Sequence, residues 1–178
     1  MATDRIIAPW TPDNYDVDGG GGRSLGFDFV CDVDTEILGV WWFQETGSAD
    51  GPTTVTGRVY LQSDQSLIAT ANNGSLTQGW NLITFAAPFT AAADVIYTAA
   101  VWEAINTRAG YTNGMLTDDV VDASGHVRAL ASGARYGLSQ GAPAYPGTGS
   151  GTFLHGVDIE FTVPGGGYVP RGEFLAFL

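Results

Sequence analysis

The sequence predicts an all-β protein, an antiparallel β-sandwich of jelly-roll type. Three observations predict it. Apolar and polar residues alternate along several short runs, turn-forming Gly, Asn and Asp residues separate those runs, and no segment carries a helical apolar stripe capped at both ends. Composition agrees: 25 glycines and an aromatic content of 12% suit short strands and tight turns better than long helices.

Along the chain, Leu25, Phe27 and Phe29 share one face, with Gly26 and Asp28 on the other. Val59 and Leu61 alternate with Arg58 and Tyr60, and Tyr97, Ala99 and Val101 with Thr98 and Ala100. Val157, Ile159, Phe161 and Val163 oppose Asp158, Glu160 and Thr162, so the last strand is expected to keep one face wet. Turns are expected at Asp64-Gln65-Ser66, Asn72-Asn73-Gly74, Thr112-Asn113-Gly114 and Ser124-Gly125, because these residues tolerate left-handed backbone angles. The stretch from Asp118 to Leu130 reads as a short helix or a loop.

The flanks differ from the body, and we divide the chain into an N-terminal arm (1–22), a sandwich (23–163) and a C-terminal apolar arm (164–178). The first arm contains Pro9, Trp10 and Pro12 and ends in a run of glycines. The second begins Pro164-Gly165-Gly166-Gly167 and ends with Phe174, Leu175, Ala176, Phe177 and Leu178. A hinge followed by an apolar end suits an assembly arm added to a neighbouring subunit, or a tail folded back on its own domain.

The length of 178 residues suits one domain, and a 44% apolar content is that of a globular chain. The formal net charge is −12, and all basic residues are Arg. Such a surface repels phosphate backbones and anionic head groups, which disfavours nucleic acid and membrane surfaces as partners. The single cysteine, Cys31, follows the apolar pattern of a strand and is expected to be a buried structural thiol. The start, Met1 to Arg5, lacks the apolar core of a secretory signal, and no apolar run approaches a membrane span. The expectation is synthesis and folding in a cytoplasm.

Several stretches resemble a family of bacterial β-sandwich domains of unknown function, the "four-zero-eight-two" domain. Leu25-Gly26-Phe27-Asp28-Phe29 resembles its opening strand, and Ile37 to Phe43 its next. Trp80 to Pro88, followed by Tyr97, is similar to its most recognisable stretch; Arg135-Tyr136-Gly137, Pro143, Pro146 and Val157 to Phe161 resemble its last third. The similarity spans about residues 22–163. It implies a β-sandwich found in secreted multidomain bacterial proteins and in phage tail proteins, and it brings no catalytic residues. Trp41 and Phe43 depart from the family pattern, standing at outward-facing positions that are usually more polar.

Asn14, Asp16 and Asp18 resemble the first half of a calcium loop. Leu25 stands where an EF-hand needs its bidentate Glu, so the choice lies between a calcium site completed from elsewhere and an acidic turn. No other cofactor is expected. Asp32, Asp34 and Glu36 form an anionic row on one strand face, read as a solvated edge. Only His126 and His155 are available for acid–base work, and neither sits in a metal or nucleophile motif, so no enzymatic activity is expected.

Aromatic residues are the remaining signal. If Val40 and Trp42 face the core, the pleat turns Trp41 and Phe43 outward; Tyr60 and Trp102 are also expected outward. They form either a platform for sugar rings or surfaces covered by a subunit, an arm or a loop. In the Gly-, Ala-, Ser- and Thr-rich segment from Glu103 to Gly156, Tyr111, Tyr136 and Tyr145 are the contact candidates. The expected function is a virion structural protein, a minor tail or decoration protein assembled in the host cytoplasm. Its arms, through Phe174, Leu175, Phe177 and Leu178, are expected to hold other virion proteins or copies of itself. The alternative is a carbohydrate-binding module for a host-surface glycan.

Overall fold

The computed structural model describes residues 2–7, 10–17, 22–44, 54–103, 108–138 and 142–163, the side chains of 15–17 and 108–109 excepted. The strands are β1 (Thr3–Arg5), β2 (Asn14–Val17), β3 (Arg23–Cys31), β4 (Thr35–Gln44), β5 (Val55–Leu61), β6 (Leu67–Asn73) and β7 (Gly79–Ala91). They continue with β8 (Ile96–Glu103), β9 (Arg108–Thr112), β10 (Val120–Val121), β11 (Val127–Leu138), β12 (Thr148–Gly151), β13 (Leu154–His155) and β14 (Val157–Thr162). Two antiparallel sheets pack as a sandwich. One has the order β1-β14-β4-β9-β13, with β7 also on β4 and β2 on β9; the other runs β10-β11-β3-β8-β5-β6, with β12 on β11.

The core is the set of alternating positions read from the sequence. Phe27, Phe29, Val59, Ala99 and Val101 of one sheet meet Ile37, Val40, Trp42, Ile159 and Phe161 of the other, all buried. Cys31 is fully buried, and burial pushes its thiol up to about 11, which keeps it protonated and structural. Gly26 is fixed by close approach, since a Cβ there would lie 2.0 Å from the Ala99 carbonyl oxygen on β8.

Simple alternation fails on the outer faces, because a segment of the chain crosses each one. Residues 2–7 and Trp10 lie along the β14-β4-β7 face. There β1 pairs with β14, the Arg5 guanidinium lies 4.4 Å from the ring centroids of both Trp41 and Trp80, and Trp80 Nε1 donates to the Trp10 carbonyl at 2.9 Å. Asp158, expected on a wet face, is fully buried and accepts from Arg5 Nε and the Ile7 amide, each at 3.2 Å. Burial, partly offset by Arg5, pushes its carboxyl up to about 7.

Residues 143–146 cover the other sheet. Tyr145 meets Tyr60 edge to face at 5.3 Å, the Pro143 carbonyl accepts from Arg58, and the Ala144 carbonyl accepts from Ser24 Oγ. Beneath this cover, Asp28 bonds to Arg135 and Thr98. The stretch 118–130 is a loop with β10 and the start of β11. The Asp122 carboxylate accepts from the amides of Ser124, His126 and Val127, and Gly125 takes φ 77°, which closes a turn where a helix would need its own ladder.

Candidate functional site

The aromatic residues singled out in the sequence fall in three places. Trp41 and Phe43 lie on the outer face of the first sheet. Trp41 is half-buried under Arg5 and donates to Glu160 at 2.7 Å, while Phe43 is buried against Trp80, ring centroids 5.4 Å apart. Tyr60 and Trp102 belong to the second sheet, Tyr60 buried under Tyr145 and Trp102 half-buried in register with Ser24 and Thr56. These four therefore form no common platform. Tyr111 and Tyr136 do come together, in a third place.

They line a cleft of about 350 Å³ where the ends of β3 and β11 approach β9, β12 and β13. Pairing fixes most of the lining groups. Tyr136 lies opposite Leu25 and Leu138 opposite Arg23 across β11 and β3, while His155 lies opposite Tyr111 across β13 and β9. Phe153 meets Tyr111 edge to face at 5.9 Å, and Ser150 of β12 completes the lining. The lip is apolar and open to solvent: Leu138 is 71% exposed, Phe153 40% and Tyr136 38%. Apolar side chains this exposed, gathered at one concave place, mark a binding surface better than scattered ones do.

The polar groups are few and distinctive. Arg23 is buried, and its guanidinium is held by the fully buried Glu103 carboxylate, its register partner on β8. His155 has both ring nitrogens, and Ser150 its hydroxyl, shielded from solvent with no hydrogen-bond partner. Burial first, and the charge of Arg23 second, push the imidazole down to about 4, so it is neutral at physiological pH. A neutral imidazole offers one donor and one acceptor. Each unmet buried polar atom costs about 1–3 kcal/mol.

Phe153, His155 and Ser150 escaped the sequence reading, which weighed His155 only as a metal ligand or catalyst. The available signal was the two-residue spacing of Phe153 and His155 within a Gly- and Ser-rich stretch, which puts both side chains on one side. Tyr145, chosen with Tyr111 and Tyr136, lies instead over Tyr60.

A larger groove, about 810 Å³, runs between residues 3–7 with Trp10 and residues 115–123. Of its charged groups, Arg5 and Glu160 are engaged by Asp158 and Trp41, and Asp4 accepts from the Arg5 amide, which leaves it less equipped for recognition. Among the described residues, no group of three or more His, Cys, Asp or Glu side chains could hold a metal ion. Of the calcium candidates, Asn14 is exposed on β2, while Asp18 and the side chain of Asp16 lie outside the described residues, as do Phe174, Leu175, Phe177 and Leu178. Among the described residues no helix is long and apolar enough to cross a membrane.

Residues 9–153 match the model of the DUF4082 family, a domain of unknown function. No curated protein matches the chain.

Proposed function

The chain belongs to the DUF4082 family, and on that premise we propose that it is a non-catalytic recognition domain that holds a glycan in the cleft lined by Tyr111, Tyr136 and Phe153. The observation that carries this reading is the conjunction, in one concave place, of exposed aromatic side chains and unpartnered polar atoms. Sugar rings present C–H faces that pack on aromatic rings, and hydroxyls that satisfy such atoms. Among the described lining residues none is a carboxylate, so the acid pair that glycoside hydrolysis uses is not in place there.

The setting we propose is the exterior of a phage virion, as a minor tail or decoration protein. The resemblance to tail-protein domains and the acidic surface, which keeps clear of packaged nucleic acid, support it. Assembly through residues 164–178, and a jelly-roll winding suggested by the chain's repeated crossing between sheets, belong to the same proposal. Deleting residues 164–178 is then expected to reduce incorporation into particles at least severalfold while the thermal midpoint of the sandwich stays put. Normal incorporation of the truncated protein would remove the assembly-arm part.

Glycan-array binding tests the recognition reading. Tyr136→Ala is expected to weaken binding at least about tenfold, since burying one such ring contributes about 1.5–3 kcal/mol. Trp41→Ala, on the covered outer face, is expected to leave affinity within about twofold. The reverse ranking would place recognition elsewhere.

A further inference from the structure

Resting on the glycan reading, we infer that the cleft selects an uncharged sugar residue, one hexose or N-acetylhexosamine ring, over sugars bearing a carboxylate or a free ammonium. Charge decides this first. The one charged side chain in the described lining, Arg23, is already neutralised by Glu103, so no cation stands ready for a uronic or sialic acid. The chain's formal charge of −12 opposes an anionic ligand further. Nor does any described lining residue offer a carboxylate to hold an ammonium.

Hydrogen bonding points the same way. The unpartnered groups, His155 and Ser150, are shielded from solvent and are reached when a ligand parts the side chains over them; each pairs a donor with an acceptor, as a sugar hydroxyl does. A carboxylate could use only their donors and would leave acceptors buried and unmet. A cleft of about 350 Å³, open to solvent, is large enough to take one sugar ring.

The test is an array of oligosaccharides ending in neutral hexoses or N-acetylhexosamines beside the same backbones ending in uronic or sialic acids, followed by titration with the methyl glycosides. The wild-type protein is expected to bind neutral termini at least about tenfold more tightly than acidic ones. Ser150→Ala and His155→Phe should each weaken neutral binding about 2- to 12-fold, the loss of one ordinary hydrogen bond. Acidic termini bound as tightly as neutral ones, with sensitivity to Tyr136→Ala, would overturn the selectivity and leave the glycan reading standing. Binding of no glycan at all by folded wild-type protein would overturn both. Because the neutral-to-acidic ratio is read on the wild-type protein, a variant that fails to fold does not blunt the comparison.

Discussion

Glu103→Ala is expected to destabilise the domain by about 3–5 kcal/mol, because it takes from the buried Arg23 guanidinium the carboxylate that bonds to it. For a chain of this size that corresponds to a fall of roughly 6–20 °C in the thermal midpoint. The loss comes from a buried cation deprived of this carboxylate rather than from the attraction removed. Taking two ions out of water costs several kcal/mol each, and their mutual attraction only offsets this. Replacing both partners together, Arg23→Met with Glu103→Leu, should therefore recover most of the stability, and urea unfolding of the three proteins checks the ranking. A double variant as unstable as Glu103→Ala would show that packing, not charge, sets the effect. Glu103→Gln, which keeps the shape, carries the point into function: any folded fraction would have a cleft floored by a less compensated cation, and its preference should move toward acidic sugars.

The second large effect is a pair of opposing pH dependences. His155 has its pKa lowered from 6.5 to about 4, so between those values the unfolded chain binds the extra proton and stability rises with pH. Asp158 has its pKa raised from 3.8 to about 7, so there the folded chain holds the extra proton and stability falls as pH rises. From pH 4 to 6.5 the two contributions cancel in the wild-type protein. Each variant uncovers the other slope. Relative to wild type, Asp158→Asn should gain about 3 kcal/mol over that window and His155→Phe should lose about as much, at roughly 1.4 kcal/mol per pH unit. The surroundings of each group differ: Arg23 and Tyr111 stand by His155, and Arg5, itself acted on by Glu160, stands by Asp158. Denaturant titrations of the three proteins at several pH values measure the differences. Two differences that stay flat with pH would mean that neither group is buried in the state described.

The sandwich was legible because alternation at Leu25, Phe27, Phe29 and at Val157, Ile159, Phe161 is a local property of each strand, and both sets are buried. What alternation cannot report is a second layer laid over an outer face. Asp158 reads as solvent-facing in its strand, and it is buried because residues 5–7, more than 150 positions away, lie on it. Tyr60 is covered in the same way by Tyr145. Trp41 and Phe43 stood out as unusually apolar for outward positions, and the cover of Arg5 and Trp80 gives the reason.

The cleft was half legible. Tyr111 and Tyr136 were found because aromatic residues are conspicuous in a stretch of small ones. His155 and Ser150 acquire meaning only from having no partner, which no sequence pattern records. Glu103 marks the same limit from the other side, since its pairing with Arg23 depends on the register of β3 with β8.

The most direct test is to record amide and side-chain NMR shifts while titrating the isotopically labelled domain with a neutral glycan that it binds on the array. The account predicts that the largest changes fall on Tyr111, Tyr136, Ser150, Phe153 and His155, with little movement at Trp41, Trp80, Tyr60 or Tyr145. Changes centred on those covered outer faces, with the cleft silent, would contradict it.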